Sequence, residues 1–215
     1  MTERLCAVVL AAGAGQRMGY LPKCLIEANG QPLLHRLLAA LNSLAPQGTA
    51  LVTGHHAEAV AAALAKAAPV PGLVRVHNPS PGATPADSLR LGLQALAPLR
   101  ADATLVVLAD LPLITAEDLA EVLSAFHQRA PGQEVLWPSV EGVPGHPIVF
   151  SRAVAEALVN DESLTLKRWR QHHPEAVADW PSHNRHLVRD LDTPEDLQTL
   201  RQDTGMAWSL PARPG

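Results

Sequence analysis

The stretch Leu5 to Ala11, reading LCAVVLA, is apolar at every position and rich in branched side chains. A strand with one wet face alternates apolar and polar residues, so an unbroken run of this kind needs cover on both faces, as inside a parallel sheet. Directly beyond it the chain reads Ala12-Gly13-Ala14-Gly15-Gln16-Arg17-Met18-Gly19-Tyr20-Leu21-Pro22-Lys23. A buried strand therefore runs into a glycine-rich loop with two cations, at the end of the sheet where open α/β folds hold their ligands.

The following pattern supports a sheet with helices on both faces. Pro32 opens a helical repeat in which Leu33, Leu34, Leu37, Leu38, Leu41 and Leu44 recur at helical spacing, with proline at its favoured first position. Strands are predicted at 49–53, 73–77 and 104–109, and helices at 57–68 and 86–99, separated by breakers such as Pro71-Gly72 and the turn-rich NPSPGATP of 78–85. Thr115-Ala116-Glu117-Asp118 gives a capping-box start to another helix. Beyond Gln128 the alternation loosens, with strands expected at 134–138 and 147–150 around a loop at 139–146, then shorter helices. Thr193-Pro194-Glu195-Asp196 starts a last helix, with a threonine cap and acids at the positive end of its dipole. The expected fold is a single α/β domain over 1–203, a three-layer, doubly wound and mostly parallel sheet built from right-handed crossovers. Residues 204–215 read as a flexible tail.

Composition narrows the function. With 17 Lys plus Arg against 21 Asp plus Glu, and no basic block interleaved with aromatics, the chain lacks the footprint of a nucleic-acid binder. Its apolar residues lie in short runs, far from the roughly 18 in succession that a membrane span needs. Met1-Thr2-Glu3-Arg4 leads straight into a strand without a secretory cleavage pattern, so the expected location is the cytoplasm, with no membrane partner. Cys6 and Cys24 fit no metal or redox spacing; Cys6 reads as core packing and Cys24 as incidental.

In the first loop, glycines let backbone N–H groups approach phosphate oxygens, while Arg17 and Lys23 supply positive charge. The spacing GxGxxxG is one residue off the dinucleotide-binding pattern, and Pro22 would interrupt the helix required at once in that motif. No GxxxxGK[ST] occurs, so a P-loop is excluded. Asp110 follows a strongly apolar strand in VVLADLPLI, and Asp190-Leu191-Asp192 follows the apolar Leu187-Val188, so both carboxylates are expected at strand ends. Such a pair suits a hard cation that also binds phosphate oxygens. The histidine pairs 55–56, 172–173 and 183/186 lack the cysteine or carboxylate pattern of a transition-metal site. Lys167, Arg168 and Arg170 beside Trp169 read as a basic helix face.

LAAGAGQRMG followed by Pro22-Lys23 resembles the signature of the nucleotidylyltransferases that activate sugars, alditols and molybdopterin. ADLPLI, GHPIVF and DLDTPEDL resemble three further motifs of that family, in order, so that the likeness covers roughly residues 5–200. The GHP segment and NPSPGATPADSLRLGL are similar to the molybdopterin branch. The resemblance implies a nucleotide-diphospho-sugar-transferase-like fold and transfer of a nucleoside monophosphate with loss of pyrophosphate. It makes Lys23, Arg17 and Asp110 catalytic, and Asp110 with Asp192 ligands of Mg2+. Leu10, Ala11, Ala12, Gly13, Gly15, Lys23 and Ser88 would bind the nucleotide, and Gly145, His146 and Pro147 the phosphorylated acceptor. Ala12 in LAAG, where guanylyl enzymes usually read LAGG, implies CTP, and the branch implies transient contact with a molybdoenzyme or its chaperone. One departure concerns the acceptor side: in place of the GDxGAR-like stretch common in the cytidylyl branch, this chain has Asn160-Asp161-Glu162-Ser163-Leu164-Thr165. Guanylyl or sugar- or alditol-phosphate transfer stands as the alternative. A glycosyltransferase using Asp190-Leu191-Asp192 as a DxD motif and a non-catalytic nucleotide sensor or cofactor chaperone are further rivals, opposed by the glycine loop and by the retained Lys23, Asp110 and Asp192.

Overall fold

Along β1 (Leu5–Ala11) successive side chains point to opposite faces: Ala7 and Val9 pack into one helical layer, Cys6 and Val8 into the other, and all four are buried. That is why the run is apolar throughout. The computed structural model describes residues 3–80 and 82–211. After β1 come the short strands β2 (Glu27–Ala28) and β3 (Gln31–Pro32), then α1 (Leu33–Asn42), β4 (Gly48–Thr53), α2 (Ala57–Leu64), β5 (Leu73–His77), α3 (Pro85–Leu96) and β6 (Ala103–Leu108). The second half adds α4 (Ala116–His127), β7 (Val135–Val140), β8 (Val143–Pro144), β9 (Ile148–Ser151), α5 (Arg152–Asn160), α6 (Leu166–His172), β10 (Val177–Ser182), α7 (Pro194–Thr204) and β11 (Trp208–Ser209).

The main sheet has the order β10-β7-β9-β6-β1-β4-β5, with β8 paired to β7. Strands β5, β4, β1 and β6 run parallel, as do β7 and β10, while β9 is antiparallel to both β6 and β7. The sheet is thus mixed but mostly parallel, with helices on both faces, as expected. Leu34, Leu37 and Leu41 of α1 and Leu119 and Phe126 of α4 fill one layer. Leu89 and Leu93 of α3, Val154 and Leu158 of α5 and Trp169 of α6 fill the other. Capping boxes at Thr84, Thr115 and Thr193 fix the starts of α3, α4 and α7, each threonine accepting from the backbone N–H three residues on.

Several expectations are corrected. Helix α2 ends at Leu64 rather than 68, since only Val60 is buried there and alanines alone give the next turn little to pack. The expected loop at 139–146 folds back as β8 onto β7. Strand β10 lay unseen because half its residues are polar or exposed; as an edge strand it carries one buried residue and tolerates Pro181. The segment before Asp190 is a short 3-10 turn, Arg185–Val188, and not a strand. Cys24 belongs to the core, 5% exposed. Within the stretch expected to be loose, β11 pairs with β2, and Trp208 is buried with Ile26, Leu33, Leu191 and Leu200. Residues 212–215 of that stretch lie outside the described residues.

Trp208→Ala should lower stability by about 3–5 kcal/mol, the usual cost of removing a buried tryptophan. Urea unfolding monitored by circular dichroism checks this; a loss below about 1 kcal/mol would mean that the C-terminal segment adds no packing.

Candidate active site

At the carboxyl end of β1 the chain must leave the sheet and turn within a few residues. Gly15 takes φ 65°, and a side chain there would place its Cβ 2.1 Å from the Leu21 carbonyl oxygen. Only glycine allows this turn. The Gly15 carbonyl accepts from Met18 and Tyr20, both at 2.9 Å, closing a tight loop that presents Arg17 outward and leads through Pro22 to Lys23.

Lys23 is the hub. Its Nζ donates to Asp110 Oδ2 and, at 2.8 Å, to Asp192 Oδ1, while Arg17 donates to Asp192 Oδ2 at 2.7 Å. The Lys23 side chain is 15% exposed, Asp110 20% and Asp192 29%, so these charges interact under weaker solvent screening than surface pairs do. Burial works to lower the Lys23 pKa, but the two aspartates outweigh it and the net shift is upward, keeping the ammonium charged. Next to it, burial and then Asp110 push the Cys24 thiol up to about 12, so it stays protonated and inert. Asp190 points to solvent, yet crowding by the protein, followed by the charges of Asp110 and Asp192, raises its pKa to about 6.

The segment that bears Asp192 is tied down at several points. The Leu191 N–H donates to the Asp110 carbonyl at 3.1 Å, linking the two acidic loops through their backbones. Upstream, buried Asp118 at the start of α4 accepts from Asn184 Nδ2 at 2.6 Å and pairs with His186 Nδ1 at 2.9 Å. The Leu187 carbonyl accepts from the His146 N–H at 2.8 Å. A Cβ on Gly145 would lie 2.6 Å from that same carbonyl, so the two loops meet only because residue 145 has no side chain. Leu191 and Met18 share a small apolar cluster, which seats Arg17 beside Asp192.

A cleft of about 470 Å³ opens above these groups. Leu10, Ala12, Gly13, Gly15, Arg17 and Lys23 line it, as do Ser88, Asp110 and Asp192. Sequence reasoning thus named most of its floor. Ala11 falls outside and faces a smaller cavity of about 70 Å³ behind the loop. Gly145, His146 and Pro147 do not line the cleft. They lie beneath the segment carrying Asp192; burial lowers the His146 pKa against the opposing pull of Asp110, and its Nδ1 is enclosed without a partner among the described residues. Gly54 and His55, to which no site role was given, form the wall away from Asp110 together with Asn78, Ser80 and Thr84 of the NPSPGATP stretch that resembles the molybdopterin branch. Asn78 is buried, donates to Ser88 Oγ at 3.1 Å and accepts from the Ser80 N–H at 3.2 Å. The turn-rich 78–85 stretch was the available signal for this wall.

The sheet thus places a glycine loop and paired carboxylates around a cleft at its strand ends, where open α/β proteins bind their ligands. Residues 7–177 match the family model of the MobA-like NTP transferase domain, and the chain belongs to that family. The bifunctional protein GlmU of Streptomyces coelicolor is 39% identical over 122 residues, 56% of this chain but 24% of that relative, so the chain spans about a quarter of its length. Among solved structures, Rv0371c of Mycobacterium tuberculosis H37Rv superposes with TM-score 0.74 at 26% identity, over 94% of this chain and 100% of that one. A crystal structure of Rv0371c with manganese gives TM-score 0.68 at 25% identity over 94% and 100% of the two chains. No helix among the described residues is long and apolar enough to cross a membrane.

Asp118→Ala should cost about 1–3 kcal/mol, because it removes a buried charged acceptor of hydrogen bonds from the partly exposed Asn184, His186 and Thr115 backbone donors. Burial alone would raise the Asp118 pKa, but these partners hold it below the ordinary aspartate value. The wild-type advantage should therefore be full above the ordinary aspartate range and fade as pH falls through the lowered pKa. Denaturation of both proteins across that range checks the size and the sign.

Proposed function

We propose that this protein transfers CMP from CTP to a phosphorylated small-molecule acceptor such as molybdopterin, releasing pyrophosphate, with Mg2+ as cofactor. The observation that carries the reading is Lys23 Nζ held between Asp110 and Asp192 on the floor of a cleft whose rim is a glycine loop. A site that already balances a cation between two carboxylates suits a divalent ion, and carboxylate oxygens are the donors that magnesium prefers. Among the described residues no three His, Cys, Asp or Glu side chains converge as a metal cage. Asp110 and Asp192 would therefore hold the ion, with phosphate oxygens and water completing its shell. Bound there, magnesium supplies charge neutralisation to the triphosphate. The manganese complex of Rv0371c supports a divalent metal in this fold.

The chain's own groups account for the remaining chemistry. The loop from Gly13 to Arg17 cradles the phosphates with backbone N–H groups. Lys23 and Arg17, now engaged by the aspartates, are within the same cleft to stabilise the charge that builds on the α-phosphoryl group and on the departing pyrophosphate. An acceptor oxygen attacks the α-phosphorus in line with the leaving pyrophosphate, and the protein contributes positioning without a covalent intermediate. Ser88 and Asn78 mark the end of the cleft that takes the base. Gly145, His146 and Pro147, which do not line the cleft, would serve the acceptor side by supporting the segment that carries Asp192. Protein partners on this reading are a molybdoenzyme or its chaperone, met transiently.

Asp110→Asn should cut turnover by more than the roughly 10–100-fold that loss of an outer-shell metal partner costs, with little change in unfolding temperature. Pyrophosphate release at saturating magnesium is the readout; an unchanged rate removes Asp110 from the metal site.

Base choice is tested by competition between equal CTP and GTP, read by product mass. Ala12 lines the cleft, and its methyl lies 3.1 Å from where a Cβ on Gly54 would stand, so the methyl narrows the gap between two loops. CTP should dominate, and Ala12→Gly should relax the preference by no more than the roughly 10–200-fold that one methyl is worth. A guanylyl product from the unmodified protein would reassign the base.

A further inference from the structure

The two histidines that follow β4 go to different places. His55 lines the large cleft, whereas His56 lines the small cavity behind the glycine loop. His56 occupies the N-cap position of α2, where a short polar side chain would normally accept from the helix, yet it makes no capping hydrogen bond. Its ring is used elsewhere: Nε2 lies 3.1 Å from the Ala14 carbonyl oxygen. A carbonyl only accepts, so Nε2 carries the proton and donates. This is the second point at which the loop after β4 braces the glycine loop, because a Cβ on Gly54 would stand 2.7 Å from the Ala12 carbonyl oxygen.

In a trans peptide the C=O and the following N–H point in opposite directions across one plane. With the Ala14 carbonyl turned to His56, the Gly15 N–H points away from His56, and both Ala14 and Gly15 line the large cleft. Among the described residues that N–H has no backbone or side-chain acceptor, so it is an unspent donor beside Arg17 and Lys23. Met18 and Tyr20 fix the carbonyl of Gly15, whereas the Ala14–Gly15 peptide on its other side is held by the His56 contact.

We propose that His56 is a positioning residue which, by donating to the Ala14 carbonyl from behind, holds the Ala14–Gly15 peptide with its N–H facing the triphosphate. The inference rests on the reading of the cleft as a nucleoside triphosphate site and adds the residue that orients its phosphate loop. Binding of the four nucleoside triphosphates with Mg2+, and of the nucleoside of the preferred one, is measured by titration for the unmodified protein and for His56→Ala, His56→Gln and His56→Asn. Loss of an oriented donor to a charged phosphate should weaken triphosphate binding about ten-fold in His56→Ala. Nucleoside affinity should stay unchanged. Glutamine, whose amide N–H reaches a similar distance, should restore most of the affinity, and the shorter asparagine should not. Should His56→Ala fail to fold, the contrast between glutamine and asparagine carries the same test. Wild-type affinity in His56→Asn, equal losses in the glutamine and asparagine variants, or equal losses for nucleoside and triphosphate would overturn the role of His56 and leave the cleft assignment standing. An unmodified protein that binds no triphosphate would overturn both.

Discussion

One ammonium group, Lys23 Nζ, spans two carboxylates that the chain supplies 87 and 169 residues later, and the arrangement of the cleft depends on it. Without that charge, Asp110 and Asp192 would face each other across a partly enclosed space with only Arg17 to offset them. Two cations against two carboxylates leave the group near balance, while the pKa of Asp190 at the margin is raised first by burial and then by the neighbouring Asp110 and Asp192 charges. Losing one aspartate still leaves Lys23 paired with the other, whereas losing Lys23 sets two partly buried carboxylates against each other, which costs more than the loss of a surface pair.

The scaffold around this contact is built to bring three loops together at one edge of the sheet. Strands β1 and β6 are neighbours in parallel register, so their carboxyl ends deliver the glycine loop and Asp110 side by side. Asp192 arrives by another route. Its segment leaves the sheet after β10, crosses over the Gly145-His146 backbone, is fixed to Asp118, and hydrogen bonds to the Asp110 carbonyl. Antiparallel β9, inserted between β6 and β7, sets the start of this crossing because its first residues lie beside the end of β6. The apolar cluster of Met18, Leu191, Leu200 and Trp208 then locks the back of the site with material from both ends of the chain.

On the nucleotidyltransferase reading, this network is also the switchable part of the molecule. On that reading, phosphate oxygens would compete with Asp110 and Asp192 for Lys23 and Arg17, and an opened ion pair would leave a carboxylate able to hold a divalent cation. Backbone groups behind the loop, held by Gly54 and His56, have no such second role and can stay fixed while the charges exchange partners.

The sequence by itself determined the parts that local chemistry encodes. The apolar run of β1, the helical leucine repeat of α1, the threonine caps at 115 and 193 and the glycine turn at Gly15 each act within a few residues, and each was read correctly in kind. Lys23, Arg17, Asp110, Asp192 and Ser88 were legible because they sit at the ends of such patterns in motifs resembling those of a family. Tertiary structure alone decided what depends on distant partners. Nothing near Trp208 in the chain predicts that it pairs with β2 and covers Leu191, and nothing near His56 tells that its ring serves Ala14 and not its own helix. The apolar Leu187-Val188 looked like a strand, yet became a 3-10 turn because its hydrogen bonds go to His146 and Asp118 is there to anchor its flanks. His55 was read only as half of a histidine pair and Asn78 only as the start of a turn, because a cleft wall is defined by what faces it across space, and contact between residues far apart in sequence leaves no periodic trace in the chain.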